Sequence, residues 1–135
     1  MKNKLKAGLT FGTAIALLSF LWACPNPTSS DVPKDSKGAL SPPSWIHGTW
    51  ADTNKTSFEF SSNNVKATVS DMTSDYSTLP SGSVTQLEAS TSVYKIKLTA
   101  SNATQTYTFT KVSATSLTYK LTLGTTSTTR TLTKK

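Results

Sequence analysis

The sequence predicts an all-β fold: a small up-and-down antiparallel β-barrel of about eight strands, preceded by a signal-peptide helix and a disordered tether. From residue 45 onward, apolar side chains recur at every second residue, as in strands with one buried face. Clusters of Gly, Pro, Asn and Ser separate these runs at short intervals, which favours a meander. Few charges are available to protect sheet edges, and closing the sheet removes those edges.

The chain begins with a segment typical of export. Lys2, Lys4 and Lys6 form a basic start, and residues 7–21 are apolar and uncharged. A small residue, Ala23, then precedes a cysteine. This order predicts a signal peptide over residues 1–23. A membrane-spanning anchor is the alternative, but the apolar stretch is shorter than the roughly 20 residues that a spanning helix needs.

Cys24 is the only cysteine, so no disulfide can form within the chain. Leu21, Trp22, Ala23 and Cys24 resemble a bacterial lipobox, although Trp22 stands where that motif usually has a small residue. The resemblance implies a lipoprotein that is cleaved before Cys24, acylated there with palmitate-type chains, and anchored by lipid in the bacterial cell envelope. The outer membrane and the cell surface are the expected locations, with the leaflet left open. A secreted protein with a free cysteine is the alternative.

Residues 24–44 comprise this cysteine and a segment rich in Pro and Ser. Such a segment buries too little apolar surface to offset the entropy lost on ordering, so it predicts a flexible tether. The alternative is that part of it packs on the domain, for which only Leu40 offers a large apolar side chain.

The predicted strands follow in order from Gly48. Residues 71–78 lack alternation and predict a loop, with a short helical turn or a flap over one barrel mouth as the alternatives. Alternating runs occupy residues 58–60, 65–70, 94–98, 107–109 and 117–123, and the last strand occupies residues 128–133. A further strand, the fourth, follows the turn at residues 79–82 and contains Leu87. The apolar members of the strands form the predicted interior: Phe58, Phe60, Val65, Val69, Leu87, Tyr94, Ile96, Leu98, Tyr107, Phe109, Leu117, Tyr119, Leu121 and Leu123.

Five bulky rings of this interior are the candidate ligand-lining residues: Phe58, Phe60, Tyr94, Tyr107 and Tyr119. Eight strands enclose a space that side chains fill or that holds one small ligand. Because the rings are large and the strands short, the sequence predicts a mostly filled barrel with a shallow pocket at one mouth.

Gly48, Thr49 and Trp50, at the start of the meander, resemble the Gly-x-Trp signature of lipocalin-like (calycin) barrels. The resemblance implies that Trp50 closes the barrel base and that a basic residue near the last strand packs across its ring. Arg130, the only arginine, lies in that strand and is the expected partner. The domain, residues 45–135, is shorter than a typical lipocalin.

No residue pattern indicates catalysis, a metal or a cofactor. His47, the only histidine, has no nucleophile motif beside it, and no cysteine is left for a His/Cys metal site after lipidation. The carboxylates are dispersed, without the spacing of an acid–base pair or a calcium loop: Asp52, Glu59, Asp71, Asp75 and Glu88. The sequence therefore predicts a protein that is not an enzyme.

The net charge of the chain and the distribution of its lysines favour some classes of partner over others. The formal net charge of the whole chain is +7, but the lysines of the leader leave with it. Without a dense basic patch interleaved with aromatic residues, nucleic-acid binding is not predicted. A weak attraction to anionic lipid or acidic glycans is the expectation from charge.

These observations predict a lipid-anchored, non-enzymatic binding or interaction module whose partner is a small apolar ligand, an envelope protein or a host protein. An exposed patch of Trp45 and Tyr76 would favour contact with a protein. A lipid-anchored inhibitor of a lysozyme or protease is one alternative, because residues 81–83 resemble the loop of lysozyme inhibitors, although Val84 and Thr85 depart from that pattern. A purely structural surface lipoprotein is the other.

Overall fold

The structure is a computed structural model that describes residues 39–135. The predicted signal peptide, the lipobox with Cys24 and most of the predicted tether lie outside the described residues. Within residues 39–135, the only helical elements are two 3-10 turns, Ser44–Ile46 and Tyr76–Thr78. That part of the chain contains no helix with the length and apolar character needed to cross a membrane.

Nine strands make up the rest of the domain. Their bounds are β1 Gly48–Ala51, β2 Thr56–Phe60, β3 Val65–Val69, β4 Met72–Asp75, β5 Val84–Ala89, β6 Val93–Ala100, β7 Ala103–Lys111, β8 Ser116–Leu123 and β9 Thr126–Lys134. Burial alternates along the longer strands, as the sequence pattern predicts; in β2, for example, Thr56, Phe58 and Phe60 are buried and Glu59 is exposed. The all-β prediction is confirmed.

All nine strands belong to one antiparallel sheet in the order β4-β3-β2-β1-β9-β8-β7-β6-β5. Consecutive strands pair along the chain, as an up-and-down meander requires, and β1 also pairs with β9. The one exception is that β4 and β5 do not pair. The sheet is therefore a curled half-barrel with one seam, where the sequence predicted full closure with about eight strands.

The directions of the strands explain the seam. Since every paired neighbour is antiparallel, β4 and β5 point the same way, and a tight turn cannot join them. The chain instead returns from one end of the sheet to the other through the second 3-10 turn and residues 79–83. Pro80 in this return segment lacks an N–H group and cannot donate to a ladder. Two hydrogen bonds of Ser83 hold the return segment in place. The Ser83 amide donates to the carbonyl of Pro80, and the Ser83 carbonyl accepts from the amide of Thr99.

The ninth strand, β4, is the element that the alternation did not predict. It pairs with β3 from Lys66 opposite Asp75 to Val69 opposite Met72. The two residues between the strands, Ser70 and Asp71, both have positive φ, at 48° and 71°. That is the backbone of a two-residue hairpin whose twist matches the strands it joins. Because β4 buries no side chain fully, no apolar pattern marks it in the sequence.

The core confirms most of the predicted interior. Its buried hydrophobic members are Leu40, Ile46, Trp50, Phe58, Phe60, Val65, Ala67, Tyr76, Val84, Tyr94, Ile96, Tyr107, Phe109, Leu117, Tyr119, Leu121 and Leu132. Val69 and Leu98 are half-buried, while Leu87 and Leu123 are exposed, contrary to the prediction. Leu87 lies at a β-bulge, where the register with β6 shifts between Gln86 and Glu88. Leu123 is the last residue of β8, beside the turn at Gly124.

Part of the segment predicted as tether packs on the sheet. Leu40 is buried in the core, and the amide of Ser41 donates to Oε1 of Gln86 in β5 at 2.7 Å. Ile46, in the first 3-10 turn, is fully buried. Packing against the core therefore already includes Leu40, before the first strand.

Candidate functional site

The turns of the half-barrel lie at two ends. One end carries the first 3-10 turn, the start of β1 and the turns at residues 61–64, 90–92 and 112–115; we call it the plug end. The other end carries the turns at residues 52–55, 70–71, 101–102 and 124–125; we call it the far end. A ligand or partner has these two ends, the seam and the outer face of the sheet available to it.

Trp50 closes the plug end. Its side chain is 1% exposed, and its indole Nε1 donates to the carbonyl of Ile46 at 2.7 Å. Gly48 has a φ of 112°, and a Cβ there would meet Lys134 Cε at 3.2 Å. The backbone angle therefore favours glycine at this position of the Gly-x-Trp motif, and the flexible end of Lys134 lies close beside it.

The cation over Trp50 is Lys134, which corrects the expected pairing with Arg130. Trp50 and Lys134 are cross-strand partners, and the lysine Nζ lies 5.3 Å from the ring centroid. Arg130 lies four residues before Lys134 in β9, nearer the far end and opposite Tyr119. Its Nη1 donates to Oδ2 of Asp52 at 3.0 Å. The register of β1 on β9 therefore decides which basic residue reaches the tryptophan.

Trp45 completes the plug end. Its Nε1 donates to the carbonyl of Ser90 at 2.8 Å, and Nζ of Lys111 lies 6.0 Å from its ring. The predicted exposed patch of Trp45 and Tyr76 does not form, because Tyr76 is buried in the core and Trp45 packs against that core.

The candidate ligand-lining rings pack on one another. The Phe58 centroid lies 4.9 Å from that of Tyr119, 5.0 Å from Phe109 and 6.1 Å from Tyr107. Phe60 and Tyr94 meet edge to face at 6.0 Å. Each such pair adds about 0.5–1.5 kcal/mol beyond burial. The rings that could have lined a pocket instead serve as each other's packing partners, as the prediction of a mostly filled interior requires.

Three tyrosines bring hydroxyl groups together inside the domain. Tyr107 donates to Oε1 of Gln105 at 2.7 Å and shares a side-chain hydrogen bond with Tyr76. Burial raises the pKa of Tyr76, and the charge of Tyr107 raises it further. Burial also raises the pKa of Tyr119. All three phenols are therefore neutral at physiological pH and can act as hydrogen-bond donors.

Tyr94 differs from these three. Its side chain is fully buried, and its hydroxyl has no hydrogen-bond partner within the described chain. Its neighbours are the rings of Phe60 and Phe109. A buried hydroxyl without a partner forfeits the hydrogen bonds that it makes to water in the unfolded chain.

Asp52 holds the turn between β1 and β2. Its Oδ1 accepts from the amides of Asn54 and Thr56 at 2.7 and 2.9 Å, and its Oδ2 accepts from Arg130. Burial acts to raise the pKa of Asp52, but the hydrogen bonds from Thr56, Arg130 and Asn54 outweigh it and lower the pKa overall. The ion pair with Arg130 thus ties the turn to β9.

The other candidate residues have local structural contacts. His47 Nε2 donates to the carbonyl of Pro42 at 2.9 Å. Asp75 begins the second 3-10 turn, and hydrogen bonds from Ser77 and Asn64 lower its pKa. Asp71 faces Lys55 at 3.7 Å on the surface. Among residues 39–135, no group of three or more His, Cys, Asp or Glu side chains is arranged to hold a metal ion.

Comparison with known proteins identifies no relative: no protein family, no curated protein and no solved structure matches the chain.

Replacing Tyr94 with Phe is expected to raise the free energy of unfolding by about 1–3 kcal/mol, because it removes a buried hydroxyl that has no partner. Chemical denaturation measures the change. Tyr107→Phe is the matched control; it removes a hydroxyl that donates to Gln105 and should lower the free energy of unfolding by about 1 kcal/mol. A loss of stability in Tyr94→Phe would show that the hydroxyl makes a favourable interaction.

Acid should destabilise the domain through Asp52. Because the folded-state pKa of Asp52 is lowered, its contribution to stability is present above the unfolded pKa of about 3.9 and is lost as pH falls through the folded pKa. Denaturant titrations from neutral pH downward should show a smaller acid-induced loss in Asp52→Asn than in the wild type. Asp71→Asn, on the exposed surface, is the control and should follow the wild type. Identical acid profiles for Asp52→Asn and the wild type would contradict this role.

Proposed function

We propose that the chain is a bacterial envelope lipoprotein whose half-barrel is a non-enzymatic interaction module that meets its partner at its surface. The observation that carries this proposal is the ring network around Phe58, which occupies the interior where a carried ligand would sit. The plug end is also occupied, by Trp50, Ile46 and Trp45. A partner is therefore left with the outer face, the seam and the loops.

The anchor is proposed from the lipobox resemblance and the single cysteine, Cys24. Leu40 packs in the core, so the proposed lipid on Cys24 and the domain are separated by at most about 15 residues. A flexible segment of that length spans about 20 Å by the square-root rule. Such a spacer lets the domain reach partners close to the membrane while its surface stays in water.

The polar side chains support a role other than catalysis. Asp52 is bound by Arg130 and by two backbone amides, and His47 by a backbone carbonyl. The tyrosine hydroxyls belong to the buried ring network, and burial keeps them protonated. Each of these groups has a hydrogen-bonding or packing role within the fold.

Inhibition of a hydrolase is the second candidate function. Residues 81–83 lie on the return segment beside the seam, and Gly82 has a φ of 83°, with open space around the position of a Cβ. A protruding glycine turn of this kind fits an inhibitory loop. Assays against lysozyme and against serine proteases, with Gly82→Val as the loop variant, distinguish this candidate from the first.

Cys24→Ser is expected to move the protein from the membrane fraction to the soluble fraction of a bacterial host, because the acyl chains that hold it can no longer be attached. Cell fractionation measures this shift, and the mass of the mature N-terminus identifies the acyl chains. Ser29→Ala, in the same segment, is the control and should stay with the membrane. Membrane association of Cys24→Ser would contradict the lipoprotein proposal.

The wild-type protein is expected to show no saturable binding of fatty acids or small aromatic probes, because packed rings occupy its interior. Phe58→Ala removes the ring at the centre of the network and should leave a cavity that binds a small apolar molecule such as benzene. Calorimetric titration of both proteins tests this. Saturable binding by the wild type, with a Kd below about 10 μM, would favour a ligand carrier instead.

A further inference from the structure

The outer face of β6–β9 has an unusual composition. Its residues are the cross-strand neighbours that share the face opposite the buried Tyr107, Phe109 and Tyr119. Twelve of these sixteen residues carry hydroxyl groups: Thr99, Thr104, Thr106, Thr108, Thr110, Ser116, Thr118, Thr122, Ser127, Thr129, Thr131 and Thr133. We call this surface the threonine face. Strand spacing sets the hydroxyls about 5 Å apart across strands and about 7 Å apart along them.

The charges on the threonine face are all positive. Lys95 and Lys97 lie on β6 and Lys120 on β8, with Thr108 directly between Lys95 and Lys120 in the register. No carboxylate shares the outer face of these four strands. Glu88, on the neighbouring β5, approaches only Lys95, at 3.4 Å. Lys97 and Lys120 form no ion pair within residues 39–135.

Opposite charges balance the outer face on the other side of the sheet. Lys66 on β3 lies between Glu59 on β2 and Asp75 on β4 in the cross-strand register. These two carboxylates offset the positive charge of Lys66 within the sheet. The contrast is that Lys97 and Lys120, unlike Lys66, have no carboxylate beside them in the cross-strand register.

The hydroxyl groups of this face are largely available to a ligand. Thr122 and Ser127 form the one side-chain hydrogen bond among them in the described structure, at 3.1 Å between their oxygens. The others make no side-chain hydrogen bond within the described chain. Hydroxyl groups and lysines together are the side chains that contact phosphate, carboxylate and sugar groups in proteins that bind charged polymers.

We infer that the threonine face binds an anionic polysaccharide, a sugar polymer with repeating carboxylate or phosphate groups. The inference deepens the proposed function by naming the partner of the interaction module, and it rests on that function. Lysines two strands apart, about 10 Å from each other, would contact successive acidic groups, while threonine hydroxyls between them bind sugar hydroxyls.

Two features favour a polysaccharide over other anionic partners. Protein interfaces depend on anchors such as Trp, Tyr and Arg, and the threonine face has none; Val93 is its single apolar residue. The face is also the convex side of a curled sheet, so a planar membrane touches it only along a narrow line. A linear polymer can follow the curvature and contact all three lysines.

The test measures binding of the purified full chain, in detergent, to alginate as the carboxylate polysaccharide and to a phosphomannan as the phosphate polysaccharide. Lys95→Gln/Lys97→Gln/Lys120→Gln should weaken binding at low salt about 10-fold or more, because it removes every charge of the face. The matched control, Lys55→Gln/Lys66→Gln/Lys135→Gln, lowers the net charge equally and should weaken binding less than about 2-fold. Raising the salt concentration should weaken binding by the wild type.

A second variant tests the hydroxyl groups without changing charge. Thr108→Val/Thr118→Val keeps the shape of both side chains and should weaken binding about 3-fold or more, because each valine lacks the hydroxyl group that would hydrogen-bond to the polymer. Circular dichroism and thermal unfolding confirm that each variant is folded.

Four results would overturn the inference. Two concern the polymers: the two triple-lysine variants lose the same amount of binding, or the wild type binds neither polymer. The other two concern other ligands: the wild type binds neutral dextran as tightly as the anionic polymers, or it binds anionic lipid vesicles and neither polymer displaces them. These results are independent of the anchor, because Cys24→Ser fractionation reports on membrane attachment alone. A chain that is anchored but does not bind the polymers therefore retains the proposed function and loses this inference.

Discussion

The contact of Phe58 with rings from the far side of the sheet is the interaction on which the half-barrel depends. Phe58 lies on β2, and its neighbours Tyr107, Phe109 and Tyr119 lie on β7 and β8, with β1 and β9 between them in the sheet. Such contacts across the interior exist only when the sheet curls. The seam between β4 and β5 leaves hydrogen bonding incomplete there, so ring packing contributes a large part of the closure.

The fold class could be read from the sequence because alternation and turn residues are local signals. Val65 and Phe109 are buried where that pattern places them. The errors arise where tertiary structure changes the local pattern. A β-bulge turns the Leu87 side chain outward. Strand β4 is stabilised by pairing with β3 through the hairpin turn of Ser70 and Asp71, and it has no buried apolar side chains that would identify it as a strand in the sequence.

The candidate site was predictable in type but not in detail. A tryptophan at the start of β1, covered by a cation from the last strand, is found at the plug end. The identity of that cation depends on the register of β1 on β9, which pairs Trp50 with Lys134 and leaves Arg130 to Asp52. Register between the first and last strands is a non-local property that no short motif specifies. The alternating lysines and threonines of β6–β9 were visible, but their convergence on one face required the pairing.

The pairing of β1 with β9 also has a kinetic consequence. It joins the two ends of the domain, with the Lys135 amide donating to the carbonyl of Thr49, so a large loop must close before this contact forms. The plug end can therefore reach its native structure only once the last strand, β9, is available to pair with β1. A nascent chain that still lacks β9 therefore leaves Trp50 without its neighbouring strand and without the lysine that covers its ring.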